Sequence, residues 1–304
     1  MRVLTLVVGA WQFCLGVEAV RVAPWRDLMG FDPDLARELG PQESVPQIRF
    51  LPEAPSAVPF ERLESVAPFV PDHHAKRYID GKDDRVLYAK NTAYPYGAVG
   101  KLYWSNGAWC SAALVGPRHV LTAKHCLNAN ASATFAPGFD VKPRFGEAAV
   151  LRVITTNIEW GTPCGWKNDW AILIIDKRFG EDQGYFGVQL PDRKFVDKPI
   201  FDHVGYPGDL DEGKRPYRVP KSTIQSSRKW DCDATGPFYS DTDCAGGQSG
   251  GPIWQDKADG SYIWGTLSVT FEDTYGDGKQ VAWSGWGSGN DLLRSISSLR
   301  KSYP

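Results

Sequence analysis

Ala245-Gly246-Gly247-Gln248-Ser249-Gly250-Gly251-Pro252 sets one serine among four glycines. Glycine permits backbone conformations that a side chain forbids, so a tight turn here can aim the amides of Gly247 and Ser249 at one point. Gly-x-Ser-x-Gly is also the nucleophile turn of α/β-hydrolases, a fold whose histidine follows its serine in the chain. The five histidines here are His73, His74, His119, His125 and His203, and all precede Ser249. Chain order therefore removes the α/β-hydrolase fold. Any base for Ser249 must come from upstream.

Upstream, the chain from Arg85 onward reads as short strands between clusters of Gly, Pro, Asn and Asp. Residues 99–104 alternate apolar and polar, 109–115 and 119–122 are largely apolar, and 150–154 and 171–175 read as further strands. The style continues through 203–206, 252–254, 262–270 and 281–283. Leu292, Leu293, Ile296 and Leu299 then fall at helical spacing, with Asn290 or Asp291 as the expected cap. Many short strands and one terminal helix predict an all-β barrel or sandwich. No sequence repeat is visible.

Two upstream positions suit the serine. His125 stands in Leu121-Thr122-Ala123-Lys124-His125-Cys126, just after a strand. Asp169 stands in Lys167-Asn168-Asp169-Trp170-Ala171-Ile172-Leu173, at the head of a strongly apolar strand. A carboxylate there is partly buried and needs a hydrogen-bond donor, which the His125 imidazole can supply. Each site has a plain alternative: a flexible Gly-Ser loop, a structural histidine, a turn aspartate. His119 reads as structural, His203 has no comparable setting, and Asp176 fits a turn. Together the three make a nucleophile, a base and an orienting acid in the order His, Asp, Ser, one of the orders in which this triad occurs.

These three blocks resemble the signature blocks of chymotrypsin/trypsin-like serine proteases, and the resemblance runs from about Asp83 to the C-terminus. It implies an all-β fold of two packed six-stranded Greek-key β-barrels with a short C-terminal helix. His125 and Asp169 would come from the first barrel and Ser249 from the second. It implies a serine endopeptidase acting on proteins or peptides through an acyl-enzyme, with Gly247 and Ser249 as the oxyanion hole and with no cofactor or metal. Asp83-Asp84-Arg85, the run 203–209 and Asp241-Thr242 are similar to the glutamyl-endopeptidase-like branch. Gln248 departs from the trypsins, which hold an Asp there to receive a new N-terminal amine; Gln cannot form that ion pair.

Substrate binding falls by the same resemblance to Asp243 and Ser268. Asp243 lies six residues before Ser249, where trypsin-like enzymes keep the carboxylate for Arg or Lys. The Glu-specific branch uses a His on the strand matching 266–268, and Leu267 stands there instead, which argues against a Glu preference. Cys110 with Cys126 matches a family disulfide beside the histidine. Cys232 with Cys244 is the expected second pair, leaving Cys164 free. An inactive family member serving as a binding module is the alternative reading, but no member of the triad is missing.

The remaining features set the context. Among 304 residues, 42% are hydrophobic and 23% charged, and the net charge of −2 offers no basic surface for nucleic acid. Twelve Trp point to aromatic core packing. Arg2, an apolar run over 3–15 and Val17-Glu18-Ala19 predict a signal peptide over 1–19, too short to span a membrane, and hence a secreted, extracellular protein, which is expected to be a monomer. Residues 20–77 are Pro-rich and read as a propeptide with at most a short helix over 33–39. They end in Lys76-Arg77, which predicts a mature chain from Tyr78. The first barrel is expected over 78–190 and the second, with its helix, over 191–304. Asn130-Ala131-Ser132 is a glycosylation sequon in an expected loop, and the acidic stretch at Asp273 and Asp277 reads as solvated.

Overall fold

Ala171-Ile172-Leu173-Ile174-Ile175 is buried at every position, as a strand covered on both faces must be. The sheet around it closes on itself. In the computed structural model, which describes residues 21–22, 28–37, 43–51, 62–63, 83–88, 92–274 and 280–304, twelve strands form two barrels. The first comprises β1 (Val99–Trp104), β2 (Ala108–Gly116), β3 (His119–Thr122), β4 (Ala133–Pro137), β5 (Ala148–Thr156) and β6 (Ala171–Ile175). Its order is β6-β3-β2-β1-β4-β5, and the β5–β6 ladder from Val150↔Ile175 to Thr155↔Ala171 closes the ring.

The second barrel comprises β7 (Pro199–Gly205), β8 (Tyr217–Thr223), β9 (Phe238–Ser240), β10 (Pro252–Lys257), β11 (Gly260–Thr274) and β12 (Gln280–Gly287). Its order is β9-β12-β11-β10-β7-β8. Counted within each half, both rings run 1-2-3-6-5-4, so the two halves repeat one Greek key without a visible sequence repeat. They differ at one seam. Where β2 pairs with β3 in a ladder, β8 and β9 meet only through the bridge Ile224↔Ser240 and flanking backbone bonds. The second barrel is therefore half closed rather than a full six-strand ring.

Large aromatics fill the second barrel. Phe201, Trp264, Phe238 and Trp286 are buried together, with Phe201 and Trp264 edge to face at 4.7 Å. Trp104, Trp170 and Trp254 are also fully buried, so the tryptophan excess is core packing. Helix α3 (Asn290–Ser302), which follows the short helices α1 (Pro163–Lys167) and α2 (Phe179–Gln183), buries Leu292, Leu293, Ile296 and Leu299 against first-barrel residues. Arg300 fastens it by donating to the carbonyls of Val115 and Phe186. The expected Asn290 or Asp291 cap is absent; Gly289 precedes the helix at φ +108° with no side-chain cap.

The Pro-rich segment corrects the expectation of a chain with only one short helix. Its described parts hold a 3-10 turn at Pro33–Leu35 and short strands on both barrels. Arg21–Val22 pairs with β11, Gly30–Phe31 with β2, Gln47–Leu51 runs parallel to β5, and Arg62–Leu63 pairs with Gly187–Gln189. The expected signal peptide, Lys76-Arg77, Tyr78, His73, His74 and Asp277 lie outside the described residues.

Candidate active site

β3 ends at Thr122, and the chain turns through a single 3-10 turn, Lys124–Cys126, that carries His125 into the seam between barrels. The turn is pinned by a disulfide, Cys110–Cys126. Asp169 follows α1 and precedes β6, and it is 1% exposed. Its Oδ1 accepts from the His125 backbone N–H at 2.8 Å, and its Oδ2 meets His125 Nδ1 at 2.7 Å. Two contacts from one carboxylate fix both the main chain and the ring of His125. The same Oδ2 accepts from Ser268 Oγ at 2.7 Å, across from the second barrel. The His125 side chain is 3% exposed, Trp160 packs edge-on to its ring, and its buried Nε2 has no hydrogen-bond partner.

Ser249 lies in the turn before β10, and the turn is braced against the first barrel. Ser111 N donates to Ser249 O at 2.8 Å, and Ser111 Oγ donates to Gly247 O at 2.9 Å. Gly250, at φ +78°, approaches so closely that a Cβ would lie 2.1 Å from Thr122 Oγ1 and 2.9 Å from Ala123 N. The serine turn thus rests on the residues that lead into His125. Gly247 has φ +95°, and its N–H donates to Leu28 O at 2.9 Å.

Gln248 is held in a hydrogen-bond network. Its Oε1 accepts from Ala245 N at 2.9 Å and from Arg85 Nη1 at 3.3 Å. Its Nε2 donates to His203 Nε2 at 3.1 Å, while His203 Nδ1 donates to Pro252 O at 2.9 Å. Burial lowers the His203 pKa to about 4, so the ring is a neutral acceptor at ordinary pH. Arg85 is held in turn by Asp83 and Asp209.

The expected specificity residues part company. Ser268 turns its hydroxyl to Asp169, so its side chain holds the acid. Asp243 Oδ2 accepts from Asp84 N at 3.1 Å. Burial first, then the Asp243 charge, raises the Asp84 carboxyl to about 7. Asp83, Asp84 and Asp243 offer carboxylate oxygens within 4.8 Å of one another, and Arg85 engages Asp83.

The second disulfide corrects the expected pairing. Cys164 joins Cys232, and Cys244 is the free thiol among the described residues, pushed up to about 12 by burial. Cys164 sits in α1, five residues before Asp169, and Cys232 lies in the β8–β9 loop, so the bond ties the two barrels together beside the acid.

Sequence reasoning named His125, Asp169 and Ser249 as candidates; the structure holds His125 against Asp169 and packs Gly250, beside Ser249, onto Thr122 and Ala123. It missed Ser268 as partner of Asp169, Asp84 as partner of Asp243, and Arg85 as partner of Gln248. Asp83-Asp84-Arg85 was a visible signal, but only folding shows what it touches.

Comparisons with known proteins agree with this fold. The family model described as Trypsin matches residues 89–292. Glutamyl endopeptidase of Bacillus licheniformis is 27% identical over 223 residues, covering 71% of this chain and 67% of that protein. The structure of a Glu endopeptidase in complex with MPD superposes with a TM-score of 0.56 at 19% identity, over 73% of this chain and 98% of that one. A thermostable serine protease, AL20, from an extremophilic microorganism superposes at 0.50 with 18% identity, over 67% of this chain and 97% of that one.

Proposed function

The chain belongs to the trypsin family, it is a serine endopeptidase, and on that premise we propose that it is exported and cleaves peptide bonds through Ser249, His125 and Asp169. The observation that carries the triad is the Asp169 carboxylate, which holds the His125 N–H and Nδ1 together. That grip leaves Nε2 as the ring's working nitrogen.

The steps follow the handling of one proton. Ser249 Oγ attacks the carbonyl carbon of the substrate while His125 Nε2 takes the hydroxyl proton. The carbonyl oxygen becomes an oxyanion, held by the amides of Gly247 and Ser249. His125 gives the proton to the departing amine as the C–N bond breaks, leaving an acyl-enzyme. Water repeats the sequence and releases the acid. Asp169 fixes the tautomer and stabilises the imidazolium, and Ser268 steadies Asp169.

For specificity we propose a pocket that favours a basic side chain before the cut. The curated relative is named for glutamyl cleavage. Here Asp243 accepts from the Asp84 backbone N–H, and burial together with the Asp243 charge raises the Asp84 carboxyl to about 7; this acidic cluster repels a carboxylate and attracts a cation. Removal of residues up to Arg77, giving a mature chain from Tyr78, belongs to the same reading.

A fluorophosphonate probe tests the reading. Labelling of the processed chain that is lost in Ser249→Ala supports it, and a folded, processed chain that stays unlabelled refutes it. A peptide-library digest reports the residue before the cut, and a preference for Glu would overturn the basic assignment.

A further inference from the structure

Four contacts trace the N-terminal segment across the seam between barrels. Arg21–Val22 pairs antiparallel with Glu272–Phe271 of β11, on the second barrel. Leu28, 4% exposed, places its carbonyl oxygen on Gly247 N at 2.9 Å. Met29 packs on Cys110, Ala123 and Cys126, the residues flanking His125. Gly30 and Phe31 then pair antiparallel with Trp109 and Ala108 of β2, on the first barrel. Asp32 N and Arg37 N continue along that hairpin by donating to Gly107 O and Ser105 O, each at 2.8 Å.

We propose that the chain holds its own residues Leu28 to Phe31 in the position of a substrate, with Leu28–Met29 as the peptide bond presented to Ser249. The proposal rests on the catalytic reading above. A substrate must give one carbonyl to the Gly247 amide and pass its next residue beside His125, and this segment does both. Its remaining residues show how the leaving side of a substrate docks, as a strand added antiparallel to β2. The unprocessed chain is accordingly occluded by itself.

The register has a steric signature. A Cβ on Gly30 would lie 2.0 Å from Trp109 Cε2. Trp109 has little freedom to yield: its Nε1 donates to Tyr206 O at 3.0 Å, and Lys101 Nζ sits 4.3 Å above the ring. Gly213 and Gly247 press on the same indole, where a Cβ would come within 2.3 and 2.6 Å. Glycine is therefore what the second residue after the bond must be for this strand to close.

The test compares fluorophosphonate labelling rates of Ser249 in the unprocessed full chain, identified by intact mass, with those of its Gly30→Val and Leu28→Asp variants. The expected result is labelling at least tenfold faster in both variants. Equal rates in folded variants, with the processed chain labelling normally, overturn the inference and leave the catalytic reading standing. Absence of labelling in every form, processed included, overturns both. Should the variants misfold, a synthetic peptide spanning residues 26–37 is added to the processed enzyme. Competitive inhibition that disappears in the Gly30→Val peptide supports the inference, and equal potency or no inhibition by either peptide overturns it. A cut between Leu28 and Met29 that Ser249→Ala abolishes supports the same register.

Discussion

Ser268 Oγ donates to Asp169 Oδ2 at 2.7 Å, the oxygen that also holds His125 Nδ1. The second barrel thus reaches over to steady an acid that belongs to the first. A hydrogen bond to a charged group contributes about 1.5–3 kcal/mol, equivalent to roughly ten- to hundredfold in rate. Ser268→Ala should lower kcat by that factor with KM nearly unchanged, and Ser268→Thr should recover part of it. A loss confined to KM would mean that Ser268 contacts substrate instead.

Arg85 and His203 share the task of fixing Gln248. Arg85→Ala removes one support of the turn that presents the Gly247 amide. We expect kcat/KM to fall on the order of tenfold, from one lost charge-assisted hydrogen bond. Stopped-flow acylation with an ester substrate isolates the step. Unchanged acylation would show that the turn holds itself.

Asp84 and His203 make opposite demands on pH. The folded Asp84 carboxyl titrates near 7, above its ordinary value of 3.8, so the folded chain binds more protons and stability falls as pH rises from about 4 to 7. His203, at about 4 instead of 6.5, binds fewer protons when folded, so its contribution is lost as pH falls through that window. Asp84→Asn should therefore gain on the parent chain in melting temperature as pH rises from 4 to 7. A pH-independent difference between the two would remove the raised pKa from the account.

Gly250 stands where the barrels meet most closely. A Cβ there would strike Thr122 Oγ1 at 2.1 Å, and the φ of +78° disfavours any other residue. Gly250→Ala should cost more than about 1 kcal/mol, the scale for Ala at a positive φ, before the clash is counted. Activity should fall at least a hundredfold, because Ser249 is the next residue. Near-wild-type turnover would show that the turn can move without loss.

The three proposed triad residues stand out in the sequence because their signals are local: a serine among glycines, a histidine after a strand, and an aspartate before an apolar run can each be read from a few residues. The strand texture and the face of α3 were legible for the same reason, as short-range periodicity. What stayed hidden depends on closure between distant segments. The pairing of Cys164 with Cys232 is set by where α1 and the β8–β9 loop meet, and spacing along the chain carries no record of that. Ser268 touches Asp169 across 99 residues, and Asp84 reaches Asp243 across 159. The Pro-rich segment gave no pattern because its strands take their order from the barrel edges they join, not from apolar alternation of their own.

The Cys164–Cys232 bond has a consequence for durability. Its two ends lie 68 positions apart, a span that includes the connection between barrels at 190–199. A backbone nick between Asp169 and Cys232 yields two chains that still travel as one molecule, with Asp169 and the Ser249 turn on pieces that cannot diffuse apart. A cut in the connection between the barrels therefore leaves both halves of the site on one covalently joined molecule.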